Sequence, residues 1–145
     1  LRIANLLIPL DGSPLAESVI KHALGIARQN ETRITLLRVV SPAYVATEFN
    51  ALTHSETLLR ERVHTAHAYL NRTATDLGVE GYLIDTDVVV SGSPAGAILE
   101  YAEQHQIDVI CMATHGRSGV KRLLLGSVAD KVLRGANHPV LLYRP

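Results

Sequence analysis

The chain has 145 residues, 47% of them apolar and 19% charged, so residues 1–145 read as one domain that can bury a core without disulfides or a structural metal. Its 14 basic and 14 acidic side chains cancel and are scattered rather than blocked, which removes the electrostatic footprint of a general nucleic-acid binder. The only cysteine, Cys111, lies in an apolar run, which excludes an intrachain disulfide and points to a reducing, cytoplasmic setting, and no run of about 18 apolar residues offers a membrane span.

In chain order, residues 3–10 form an apolar strand. It is followed by Asp11-Gly12-Ser13-Pro14, a turn and helix start in which Ser13 is the N-cap and Pro14 the first helical residue. One helix then carries Ala16, Ile20, Ala23, Leu24 and Ala27 at helical spacing, and residues 33–40 give a β-branched strand closed by Ser41-Pro42. Residues 44–53 show no period and read as a loop. Leu59, Val63, Ala66, Leu70, Ala74 and Leu77 make the longest amphipathic stripe, ending at Gly78. A third strand covers 82–90, and Gly92-Ser93-Pro94 repeats the cap signature before a helix bearing Ala97, Ile98, Tyr101 and Ala102. A nearly unbroken apolar strand at 107–113 leads into the glycine-rich stretch 114–119. Gly126-Ser127 opens a last helix with Ser127 and Asp130 in capping-box spacing, and 140–143 is the last strand.

Five strands alternating with four helices predict an α/β fold: an open five-stranded parallel sheet with helices on both faces, because parallel neighbours need crossover connections. In such sheets ligands sit beyond the carboxyl ends of the strands, where the strand order reverses. Two strand ends carry unusual residues, Asp11-Gly12 after the first and 113–119 after the fourth. The spacing Ala113, two residues, Gly116, nine residues, Gly126, Ser127 suits a phosphate cradle, since glycines admit close backbone approach and a helix starting at Ser127 aims free amides at an anion. The same residues fit a plainer reading in which Gly116 and Gly119 turn the chain and Ser127 caps a helix.

The run Met112-Ala113-Thr114-His115-Gly116-Arg117-Ser118-Gly119, continuing through Leu125-Gly126-Ser127-Val128-Ala129, resembles the ATP-binding signature of the universal stress protein family. Ile8-Pro9-Leu10-Asp11-Gly12-Ser13, Leu37-Arg38-Val39, Gly92-Ser93-Pro94 and His138-Pro139-Val140-Leu141-Leu142 are similar to that family's landmarks in the same order, so the likeness spans nearly the whole chain. Ala113 departs from it, standing where the signature has its first glycine.

The resemblance implies an adenine nucleotide alpha-hydrolase-like sheet of strand order 3-2-1-4-5 and a bound ATP accompanied by Mg²⁺. Asp11 would lie near the ribose or a phosphate-bound metal, and the backbone at Val39 and Met112 would frame the adenine. Gly116, Arg117, Gly126, Ser127, Val128 and Ala129 would line the phosphates, with Pro9, Leu10 and Ala113 completing the set. It also implies a stress-response or regulatory binding protein with no catalytic residue, and its strand order leaves the third and fifth strands at the edges; the third carries Asp85 and Asp87, while the bare apolar Val140, Leu141, Leu142 and Tyr143 of the last invite a homodimer.

Each residue has a bland counterpart. Asp before Gly is a common turn former, Val39 and Met112 suit a core, and Arg117, Lys121 and Arg122 suit a solvated loop. His115 fits a positioning or packing role better than catalysis. His64 and His67, three apart on the long helix, have no cysteine or carboxylate–histidine motif beside them and read as a solvated face. No glycine precedes a lysine, which excludes a P-loop, and no Gly-x-Gly-x-x-Gly follows a strand. The alternatives are a nucleotide-independent dimeric interaction module and a weak ATP hydrolase.

Overall fold

A computed structural model describes residues 2–46, 52–78, 80–114 and 126–145. The elements in order are β1 (Asn5–Pro9), α1 (Pro14–Glu17), α2 (Ile20–Ile26), β2 (Arg33–Val40), β3 (Tyr44–Ala46), β4 (Leu52–His54), α3 (Glu56–Gly78), β5 (Leu83–Val90), α4 (Pro94–Gln104), β6 (Val109–Ala113), α5 (Ser127–Gly135) and β7 (Val140–Tyr143).

Five strands form one parallel sheet in the order β5-β2-β1-β6-β7. This is the expected 3-2-1-4-5 arrangement, and the order reverses between β1 and β6. Because β1 is central, its Leu6, Leu7 and Ile8 are all fully buried, pointing alternately to the two faces. Leu6 and Ile8 pack with Ile34, Leu36, Val109 and Cys111 beneath α1, α2 and α3. Leu7 packs with Leu37, Ile110 and Met112 beneath α4 and α5. Asp108 ties the start of β6 to that of β1, its Oδ2 accepting from the amides of Ala4 and Asn5 at 2.8 Å each.

Three expectations need correction. The first helix is two: Ser18 donates its hydroxyl to the Leu15 carbonyl and closes α1 after one turn, local bonding that competes with helix continuation. Residues 44–53 are not a plain loop. Tyr44–Ala46 and Leu52–His54 pair as an antiparallel ribbon with Val45 opposite Thr53, strands of three residues that are too short to register as a period. Ser127 does not cap the last helix: Gly126 is the N-cap and Ser127 lies inside the first turn.

At the other helix starts, Ser13 does cap α1, its Oγ accepting from the Ala16 amide at 3.1 Å. Ser93 is the N-cap of α4 by position, with Pro94 following, but makes no side-chain cap bond.

Leu36 is fully buried in the β1–β2–α3 layer. Leu36→Ala is expected to lower unfolding free energy by about 2–5 kcal/mol through lost burial and a residual cavity. Urea denaturation followed by circular dichroism measures it, and a loss well below that range would mean the layer closes over the gap.

Candidate functional site

The carboxyl ends of β1, β2 and β6 open into one cleft of about 1050 Å³, walled by α3 on one side and by the starts of α4 and α5 on the other. Its floor begins at Pro9, Leu10 and Asp11, where the chain leaves β1 through Gly12 at φ 87°, a left-handed conformation that lets the backbone fold back over the strand end. Asp11 Oδ1 accepts from the Ser13 amide at 2.9 Å and from the Ser13 hydroxyl at 2.6 Å. The carboxylate is therefore both the turn former of the bland reading and a wall of the cleft.

Residues Val39, Met112, Ala113, Gly126, Ser127, Val128 and Ala129 also line the cleft, which brings ten of the twelve sequence-predicted positions together. The other two, Gly116 and Arg117, lie outside the described residues, as do His115, Gly119, Lys121 and Arg122.

The start of α5 brings a helix N-terminus, with its positive dipole end, to the cleft. Gly126 has extended backbone, φ −66° and ψ 158°, and as N-cap offers no side chain of its own, so among the described residues no side chain caps the first-turn amides of Ser127 and Val128. Around it the wall is apolar, with Val39, Ile98, Met112 and Val128 facing the cavity. An apolar slot next to an uncapped helix start can hold a flat apolar ring with an attached anion.

Sequence reasoning missed the α3 wall. Leu58, Glu61, Arg62, Thr65, Tyr69 and Arg72 line the cleft at helical spacing with Ala66 of the apolar stripe, and that stripe, read as the helix's core face, gave no hint that the row beside it meets a cavity. The Tyr69 hydroxyl is buried with no hydrogen-bond partner among the described residues. Burial first, then the nearby Glu17 and Asp11 carboxylates, push its pKa up to about 12. Cys111, fully buried behind the floor, has its thiol pushed up to about 12 by burial alone. His64 and His67 stand exposed on α3.

An open parallel sheet with a ligand-sized cleft at its switch point and a helix start facing into it defines a doubly wound α/β domain with a candidate ligand site. The family model described as the universal stress protein family matches residues 3–144. Universal stress protein MJ0531 of Methanocaldococcus jannaschii is 34% identical over 142 residues, covering 97% of this chain and 81% of that protein. The solved structure of MJ0577 from the same organism superposes with a TM-score of 0.82 at 26% identity, covering 100% of this chain and 98% of that one. A universal stress protein solved in complex with cAMP shares the fold, with a TM-score of 0.69 at 21% identity over 98% of this chain and 97% of that one. The chain belongs to the universal stress protein family.

Two outcomes follow from the titrating groups. Tyr69 keeps its proton to higher pH folded than unfolded, so its contribution to stability is fully present below about pH 10 and is lost as pH rises toward about 12. The stability gap between wild type and Tyr69→Phe, measured by denaturation at a series of alkaline pH values, is expected to shift against the wild type across that window; a flat gap would contradict the burial of the hydroxyl. Cys111 is expected to resist a thiol reagent in native buffer and to react on unfolding, and rapid native labelling would show that its layer opens.

Proposed function

We propose that the chain binds an adenine nucleotide, ATP with Mg²⁺, in this cleft, and acts as a cytoplasmic stress-response or regulatory module rather than a turnover enzyme. The observation that carries the reading is the uncapped start of α5, with Gly126 as its N-cap, opening into a slot walled by Val39, Ile98, Met112 and Val128. The residues fit the ligand: the slot suits the base, the amides of Ser127 and Val128 suit phosphate oxygens, and Asp11 supplies a carboxylate toward the ribose or a phosphate-bound cation. The family signature adds Gly116 and Arg117 to the phosphate wall, and Ala113 replaces its first glycine with no more than a methyl group. That a protein of the same fold was solved with cAMP is consistent with this assignment.

The regulatory reading rests on what the cleft offers a triphosphate. Its carboxylates among the described residues are Asp11 and Glu61, and Asp11 Oδ1 is engaged by Ser13, which supports a binding role over turnover. Bound nucleotide acts by stabilising one conformation or assembly. The assembly we favour is a homodimer through β7, an edge strand whose Val140, Leu141, Leu142 and Tyr143 leave an apolar ladder to pair. The same edge favours a second reading, a dimeric interaction module that needs no nucleotide.

Calorimetry and thermal unfolding with Mg-ATP test this on wild type and on the Gly126→Val, Ser127→Val double variant. At about 100 times its dissociation constant the nucleotide is expected to add about 2.7 kcal/mol, raising the wild-type midpoint by about 5–10 °C. The variant should show little rise. Absence of binding to folded wild type would remove the ATP assignment and leave the interaction module.

A further inference from the structure

The cleft has two unlike halves, separated by the edge of the sheet. On the α4–α5 side it is apolar and ends at the start of α5, the half that the nucleotide reading fills. On the α3 side it is basic. Ile34 and Leu36 of β2 face the α1–α3 layer, so the alternation of the strand puts Arg38 on that same face, at the cleft. Across from it, Tyr69 and Arg72 lie three apart on one face of α3.

Thr86 donates to Asn71 Oδ1 at 3.4 Å, and Thr86 is in register with Leu36, which sets this turn of α3 level with the middle of the strands. Helical side chains lean toward the helix N-terminus, here toward the strand carboxyl ends, so Arg72 extends up into the cleft. Higher on α3, Arg62 Nη1 approaches the carbonyls of Ser41 and Pro42 at 3.4 and 3.5 Å.

None of these arginines belongs to an ion pair among the described residues. Among the described residues Arg38 reaches only the carbonyl of Val39, at 3.5 Å. Three guanidinium groups thus face two carboxylates, Asp11 and Glu61, in the described lining, with the Glu17 carboxylate near Tyr69 outside it. The first stands at the end of β1, between the halves, with Oδ1 already held by the Ser13 amide and hydroxyl. The planar forked donors of arginine match phosphate oxygens better than any other side chain does.

We propose that the α3 half is a second anion subsite, formed by Arg38 and Arg72 with Arg62 above them, and that it takes a phosphate carried on a ribose hydroxyl of the bound nucleotide. This rests on the nucleotide reading above, with the 5′-phosphate at α5. Asp11 then takes one ribose hydroxyl and the other carries its phosphate to the α3 side. The preferred ligand class is the adenosine bisphosphates, with phosphate on the 5′ oxygen and on either the 2′ or the 3′ oxygen.

The test is calorimetry on the full chain with AMP, adenosine 2′,5′-bisphosphate and adenosine 3′,5′-bisphosphate at one ionic strength. At least one bisphosphate is expected to bind about 10–100-fold tighter than AMP, the gain of hydrogen bonds to a charged group. In the Arg38→Gln, Arg72→Gln variant that ratio should collapse toward one. The single Arg72→Gln change, at an exposed helix position, serves if the double variant fails to fold, and should reduce the ratio severalfold. Bisphosphates that bind no tighter than AMP, or a gain that survives the substitutions, would overturn the subsite while leaving AMP binding and the nucleotide reading intact. If the folded wild type takes up neither AMP nor ATP, the nucleotide reading itself fails and the subsite with it.

Discussion

The structure depends on one constraint, that β1 is buried on both faces at the centre of a sheet whose strands all run the same way. Leu6, Leu7 and Ile8 give three consecutive side chains with no solvent exposure, so both faces must be covered by helices. Parallel neighbours cannot be joined by tight hairpins, and each return crosses over the sheet. All the strand carboxyl ends therefore arrive at one edge. Because β2 lies on one side of β1 and β6 on the other, the connections leaving those ends diverge and a cleft opens where they part.

The walls of that cleft are made of core elements rather than appended loops. α3 packs Ala66, Leu70 and Leu77 into one layer and turns the adjacent row, with Thr65, Tyr69 and Arg72, toward the cavity. β2 does the same by alternation, burying Leu36 and Leu37 and presenting Arg38 and Val39 where the strand ends. Groups that line the cleft are thus held by close-packed neighbours, and among the described residues several of the polar ones lack a local partner. Gly126 offers the amides of α5 no side-chain cap of its own, because glycine has no side chain, and the Tyr69 hydroxyl is buried without a partner among the described residues.

Much of the fold was legible because it is written in short-range periodicity. The strands at 33–40 and 140–143, the helix ending at Gly78 and the Ser13 cap all follow from residues that touch each other or their near neighbours. The strands missed at 44–46 and 52–54 have three residues each, and their pairing is a contact between segments that neither segment announces. The split of the first helix came from one hydroxyl, on Ser18, choosing a local carbonyl.

The sequence by itself determined the alternation of strands and helices, the parallel sheet that follows from it, and the line of positions from Pro9 to Ala129 that meet at the strand ends. The first two rest on hydrophobic period and turn chemistry, which act over a few residues, while the site positions came from the glycine spacing at 113–127 and, for the rest, from the likeness to the universal stress protein signature. Only the tertiary structure decided which further side chains share that space. Arg38, Tyr69 and Arg72 come together across β2 and α3 because of strand register, helix rotation and layer spacing, quantities set by packing the whole core and carried by no local pattern.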